Sequence, residues 1–588
     1  MCLALFCICI EAVLALAGFT PVVETADPYV GFSSWIPLFE PVSDAPELRE
    51  TSVNKLTFFN QQRFAARKSA DGFRIFTVGG STTYGRPYDD TTSFSGWLRR
   101  LLPRADGSRN WEIINAGGIS YASYRVARVM EELSEFEPDL FVVYCGHNEF
   151  LEERTYRDQK QTSSILTTIG GIASHTRIYA AMQSALHAAP AARSAVSESQ
   201  LPAEVVTLLD SSVGPNGYRR NQKLKIQIQN HYEINLRRMV SIARATGARI
   251  LFVVPASNLR DSSPFKSEYS ALVTPQQKRQ IANYVRSAER LSAEGKTEQA
   301  LFQIENALAI DSKLSTLHYR RGQLLYSMEK FDAAREAFNL AVEEDICPLR
   351  ILAEMQDSVR RVATELNVSC IDFAELVERK AKNGIPGRDL FLDHVHPNIR
   401  TNRLLALAII DELAAMEIVT LSADWTPATV EDVTRELEGG LDKTAHGIAL
   451  RNLSRVLGWA GKTDEAYNLA LEAVQLAPED AETLFQAGIA YEGAGQLDQA
   501  EQHYRQAGKL DPDYEAVYLN LGVVLGKLER YEEAKAEFLV GLRRTPDSPA
   551  LLNNLATVCE LLKEFDEART YRERAADTLR MQKTKLRN

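Results

Sequence analysis

The chain has 588 residues, 45% of them hydrophobic and 25% charged, with a formal net charge of −11. That length exceeds one ordinary core and predicts two to four domains, and the composition is that of folded protein rather than of disorder. The absence of a strongly basic segment excludes nucleic acid as an expected partner, and seven cysteines with neither metal-ligand spacing nor a dense framework exclude a zinc or disulfide scaffold.

The first eighteen residues, MCLALFCICIEAVLALAG, carry one charge, Glu11. The run fits a short membrane span or a signal-peptide core, and Ala15-Leu16-Ala17 resembles a cleavage site. It has no Lys or Arg ahead of it, and Glu11 would be costly in lipid, so a buried N-terminal helix is the alternative. Residues 1–19 are read as a signal peptide or membrane anchor. That places the rest of the chain outside the cytoplasm, in the periplasm if the source is bacterial. Residues 20–70, rich in Pro, Ser and mixed charge, read as a connector with some local structure.

From Phe73 the pattern changes. FRIFTV (73–78), WEIIN (111–115), DLFVVY (139–144), RILFVV (249–254) and VSCID (368–372) are short, apolar and rich in β-branched or aromatic residues. Such runs predict strands buried on both faces, as in a parallel sheet. Helical patterns at 92–102 and 122–136 lie between them. The alternation predicts an α/β fold, a three-layer α/β/α sandwich, over 71–280 and 349–420. The Ala- and Ser-rich stretch of about 151–230 reads as a partly helical insertion in that domain.

Four short blocks follow predicted strands. In VGGSTTYG (78–85), Gly79 and Gly80 allow a tight turn and Ser81 would project at the C-terminal edge of the sheet. By itself this equally suits a helix cap. In NAGGISYASY (115–124) small residues let backbone N–H groups face a cleft, and a helix N-terminus there would favour an anion. YCGHNEF (144–150) places Asn148 where its amide could meet a developing oxyanion, or simply form a turn. In FLDHVHPN (391–398), Asp393 and His396 are three apart, so a turn brings both side chains to one side. The carboxylate can then fix the imidazole tautomer. His394 has the wrong spacing for that pairing and reads as packing or substrate-adjacent.

A 34-residue period marks the C-terminal part. Counting from Ala481, positions 8, 20, 24, 27 and 32 are Gly488, Ala500, Tyr504, Ala507 and Pro512; from Glu515 they are Gly522, Ala534, Phe538, Gly541 and Pro546. Units from Gly447 and Pro549 keep the same register. The pattern resembles tetratricopeptide repeats, in which small residues let paired helices approach and Pro ends the second. It is assigned to residues 445–580. The period recurs from Ile281 and Ser315, where Gly322, Ala334, Phe338 and Ala341 fall in place. This predicts an inserted repeat pair over 281–348 that interrupts the α/β domain at a surface loop.

Together, and in this order, the four blocks resemble the SGNH (GDSL-like) hydrolase superfamily over roughly 73–155 and 245–415. The resemblance implies an ester hydrolase. In it Ser81 is the nucleophile, His396 the general base and Asp393 its orienting partner. The Ser81 N–H, a second-block N–H and the Asn148 amide form the oxyanion hole. The family usually has Gly five residues after the second-block Asn, where this chain has Ser120; Gly117 and Gly118 are the other candidate donors. The third block ends in Glu149 where the family usually has Asp, a change expected to bear on substrate fit rather than reaction class. The expected substrate is an O-acyl ester of a carbohydrate or lipid, and the repeats are expected to dock a protein partner. Acyl transfer to a cell-surface carbohydrate by the same acyl-enzyme, and an inactive repeat scaffold, stay open. No phosphate loop, dinucleotide fingerprint or zinc signature is present, so no cofactor and no metal are expected.

Overall fold

The structure, a computed structural model, describes residues 36–155 and 218–585, the stretches 10–17 and 176–178, and residues 19, 21 and 181. Most of the segment expected to be a leader or anchor, and most of the expected insertion at 151–230, lie outside the described residues. Among the described residues no helix is long and apolar enough to cross a membrane. The chain divides into a first unit that ends at Glu438 and a second that begins at Gly439.

The first unit opens with an antiparallel sheet, β1 (Phe39–Val42), β2 (Ala45–Thr51) and β3 (Arg63–Ala65), in the order β1-β2-β3. This is the local structure within the expected connector. It is tied down by aromatics: Phe64 meets Phe39 at 4.9 Å and Phe76 at 5.9 Å between ring centroids. The buried Arg74 side chain donates to the carbonyls of Ala65 and Phe136 and pairs with Glu112, which satisfies a guanidinium that would otherwise be very costly to bury.

The main sheet contains β4 (Gly72–Gly79), β5 (Asn110–Gly117), β6 (Leu140–Tyr144), β7 (Arg249–Val253) and β8 (Ser369–Ile371). Its order is β5-β4-β6-β7-β8, and every pair is parallel. Central β6 is buried along its whole length, as its unbroken apolar run requires. Phe141 there is fully buried, and truncating it to Ala would cost about 3–5 kcal/mol. Helices α2 (Phe94–Ala105) and α12 (Ile399–Ala415) pack together, and α3 (Ser123–Leu133) packs on α5 (Gln222–Thr246), which packs on α10 (Ala353–Leu366). Short α1 (Ser81–Tyr84) and α4 (Glu149–Thr155) follow β4 and β6, and α11 (Phe373–Lys380) follows β8. The register pairs Gly79 with both Gly117 and Tyr144, so the first three blocks leave the sheet at one edge, the edge at which open α/β sheets bind ligands.

Between β7 and α10 run four helices, α6 (Pro275–Ala293), α7 (Thr297–Ile310), α8 (Ser315–Ser327) and α9 (Phe331–Glu343). A Cβ on Gly322 of α8 would strike the Phe338 ring of α9, so glycine is what lets the two helices close. The second unit repeats this arrangement. Helix pairs run Lys443–Trp459 with Thr463–Leu476, Ala481–Gly493 with Leu497–Leu510, Glu515–Lys527 with Tyr531–Arg544, and Pro549–Leu561 with Phe565–Lys585. Gly488 faces Tyr504 and Gly522 faces Phe538 in the same way.

Candidate active site

Ser81 begins α1 directly behind Gly80, which has extended backbone angles. A Cβ on Gly79 would collide with the Tyr144 carbonyl and the Thr83 hydroxyl; glycine there lets the chain turn tightly at the strand end. The loop after α11 brings His396 to this edge from 315 residues away: its Nε2 lies 2.8 Å from Ser81 Oγ. His396 Nδ1 lies 2.6 Å from Asp393 Oδ2, and Asp393 Oδ1 accepts the Val395 and His396 N–H groups at 2.8 Å each. A Phe391–Pro397 bridge pinches the loop. Burial pushes the Asp393 carboxyl up. The His396 and His394 imidazoles and the bonds from His396 override burial and hold it well below the usual carboxylate range. With Nδ1–H committed to Asp393, Nε2 is left to accept the Ser81 proton.

His394 Nδ1 is 3.6 Å from Asp393 Oδ2, a full ångström farther than His396, and its ring packs edge-on against Phe265 at 4.8 Å.

The N–H groups that the sequence offered as oxyanion donors are those of Ser81, of the Asn148 side chain and of the second block. The Ser81 amide is a first-turn N–H, which has no partner within its own helix. Asn148 donates one amide hydrogen to the Tyr121 carbonyl at 3.1 Å, and its second is available; Gly80 lacks the Cβ that would crowd that nitrogen. At the second block, Gly117 N–H donates to Asn115 Oδ1 and Gly118 N–H to the Gly79 carbonyl, both at 2.9 Å, so neither is free for an oxyanion. Ser120 has φ 61°, the left-handed conformation that glycine adopts most readily.

Several residues that support this site are not identifiable from the local sequence. Glu149 is buried, and it accepts Ser123 N–H at 2.8 Å and Ser123 Oγ–H at 2.7 Å. The Glu149 carboxylate therefore meets the N-terminus of α3, where a negative charge is favoured. Glu152 accepts from Ala122 N–H and Arg125 Nε. Gln62 and Asn60 reach from the β2–β3 connection to Asn115 N–H and the Tyr84 carbonyl. Asp90, Asn115 and Arg99 complete that network. Buried His147 accepts Ile351 N–H on Nδ1. Burial, with His394 and His396 nearby, lowers its pKa to about 3, so it is neutral at physiological pH. A glutamate three positions after another, EFLE, was the one local sign of the capping pair.

Among the described residues, Cys559, Glu564 and Glu567 bring possible metal-ligand atoms together. Lys535 Nζ already sits 2.6 Å from Glu564 and 2.8 Å from Glu567, supplying the positive charge that site needs.

Tetratricopeptide repeat family models match residues 493–558 and 315–345, one in each unit. The chain carries such repeats, both in its C-terminal half and between the strands of the α/β domain. No curated protein matches the chain. Among solved structures it is similar to MamA, with 16% identity over 30% of this chain and 97% of that one and a TM-score of 0.24. It is also similar to the Sgt2 TPR domain from Aspergillus fumigatus, with 22% identity over 21% and 82% and a TM-score of 0.20. A third is the first TPR of Spaghetti bound to an HSP90 peptide, with 22% identity over 20% and 95% and a TM-score of 0.19.

Proposed function

We propose that the α/β domain is an SGNH-type serine hydrolase acting on carboxylic esters, with an O-acyl group of a carbohydrate or lipid as substrate. The observation that carries this is the continuous hydrogen-bonded line from Ser81 Oγ through His396 to Asp393. His396 Nε2 takes the Ser81 proton as Oγ attacks the acyl carbon, and Asp393 stabilises the imidazolium that results. The Ser81 and Ser120 N–H groups and the Asn148 amide receive the oxyanion. Collapse of the tetrahedral intermediate breaks the ester C–O bond, and His396 returns its proton to the leaving alcohol. Water then repeats the sequence on the acyl-enzyme and releases the acid.

The repeats are read as docking surfaces that bring this chemistry to a protein partner. Residues 1–19 are read as the segment that exports or anchors the enzyme. The test is hydrolysis of a small aryl acetate by wild type and Ser81→Ala. Turnover should vanish in the variant, and unchanged turnover would remove the reading.

A further inference from the structure

The inserted repeats join the same loop that carries Asp393 and His396, and the joint is built around one side chain. Arg260 lies just after β7, with 12% of its side chain exposed. Its guanidinium donates to Asp261 Oδ2 at 2.8 Å, to Asp389 Oδ1 at 2.6 Å and to the Tyr326 hydroxyl at 3.3 Å, and it lies over the Tyr326 ring at 5.4 Å. Tyr326 and Tyr319 both belong to α8 of the insert, and Tyr319 O–H donates to the Arg260 carbonyl at 3.0 Å. Asp261 in turn accepts Arg388 N–H at 2.9 Å, and the Leu259 and Arg260 N–H groups both donate to the Pro386 carbonyl. Gly387 has no Cβ, which would otherwise strike the Arg260–Asp261 pair.

The contact continues to the triad. Buried Asn258 accepts Asp261 N–H, and it donates from Nδ2 to the Asp393 carbonyl at 3.0 Å and from its own N–H to the His394 carbonyl. Arg350, at the exit of the insert, holds the Asn258 and Ser262 carbonyls at 2.8 and 3.0 Å. Every link from α8 to Asp393 is therefore a direct hydrogen bond or a covalent neighbour. A guanidinium between two carboxylates is a strong and geometrically specific joint.

We propose that Arg260 is a positioning residue through which the inserted repeat pair holds the Asp393–His396 loop in reach of Ser81. This rests on the reading of Ser81 as nucleophile. The insert is then part of the catalytic framework and not a detachable docking module.

The test uses the full chain with Arg260→Ala, Tyr326→Ala and the double variant. Two readouts are taken: aryl acetate kinetics, and deuterium exchange of peptides spanning 387–398. Arg260→Ala should lower kcat about ten-fold, since small misplacements of catalytic groups are costly, and leave KM within about two-fold. Loop exchange should speed up while peptides of β4 to β7 stay protected. The double variant should be no worse than Arg260→Ala, because both remove one joint. Should Arg260→Ala not fold, Arg260→Lys, which cannot grip both carboxylates at once, takes its place with the same expectations. Unchanged kcat with unchanged loop exchange, or losses that multiply in the double variant, would overturn the proposal. If wild type lacked Ser81-dependent turnover, the hydrolase reading would fail by itself. The exchange data would still decide whether Arg260 holds the loop.

Discussion

The buried Arg125 guanidinium donates from Nη2 to the carbonyl of Ser120 at 2.5 Å while its Nε pairs with Glu152 at 2.8 Å. Ser120, a residue in the left-handed conformation, is thus held by a charge pair that is itself out of water. Strain of this kind persists only where the surroundings over-determine it.

The first expectation follows from that pair. Arg125→Ala strands the Glu152 carboxylate and should destabilise the first unit by about 3–5 kcal/mol in urea denaturation. Ser120→Gly should do the opposite. It relieves about 1–2 kcal/mol of left-handed strain, offset by about 0.5–1 kcal/mol of extra freedom in the unfolded chain. The N–H stays in place, so aryl acetate turnover should stay within about two-fold. A large loss of turnover in Ser120→Gly would mean that the serine side chain, not its backbone, is used.

On the proposed reading the Asn148 amide meets charge that develops only in the transition state, so Asn148→Ala should lower kcat by about 10²–10³ with KM little changed. Steady-state kinetics with the same ester checks this. A rise in KM at constant kcat would assign Asn148 to ground-state binding instead.

His147 and Asp393 set the response to acid. His147 is neutral in the fold down to about pH 3, whereas in the unfolded chain it protonates near 6.5. The unfolded state therefore binds the extra proton, and stability falls by up to about 1.4 kcal/mol per pH unit as pH drops from about 6 to about 3. Asp393 has a lowered pKa, so its contribution is present above about pH 4 and is lost only in stronger acid. His147→Gln should flatten the unfolding free energy between pH 6 and pH 4. An unchanged slope there would show that other groups govern it.

In the second unit, Gly522→Ala places a methyl group against the Phe538 ring. Overpacking of this kind should cost about 1–3 kcal/mol, read by thermal or urea unfolding, with ester turnover unaffected. Wild-type stability in this variant would mean that the helix pair is looser than its packing implies.

The strands and the repeats were legible because each has a local cause. DLFVVY is apolar without a break, and it becomes the central strand Leu140–Tyr144. Gly488 and Tyr504, sixteen apart in a 34-residue period, become a packed contact. Ser81 and Asn148 stood out as blocks at strand ends, and Asp393 and His396 as a block whose loop follows α11 and returns to the same edge. The antiparallel strands at 39–65 were missed as strands because Pro and charged residues break their alternation. Arg260 gave no local sign at all. Its meaning depends on Tyr326 and Asp389, which are 66 and 129 residues away. Glu149 stood out only as a departure expected to bear on substrate fit, and its side chain turns to the α3 terminus.

The most direct measurement is to treat the full-length protein with a fluorophosphonate and map the adduct by mass spectrometry. A single phosphonyl group on Ser81 is expected, absent in Ser81→Ala and formed at least about 10²-fold more slowly in His396→Ala. An intact, folded protein that takes up no label, or takes it up on another residue, would contradict the account.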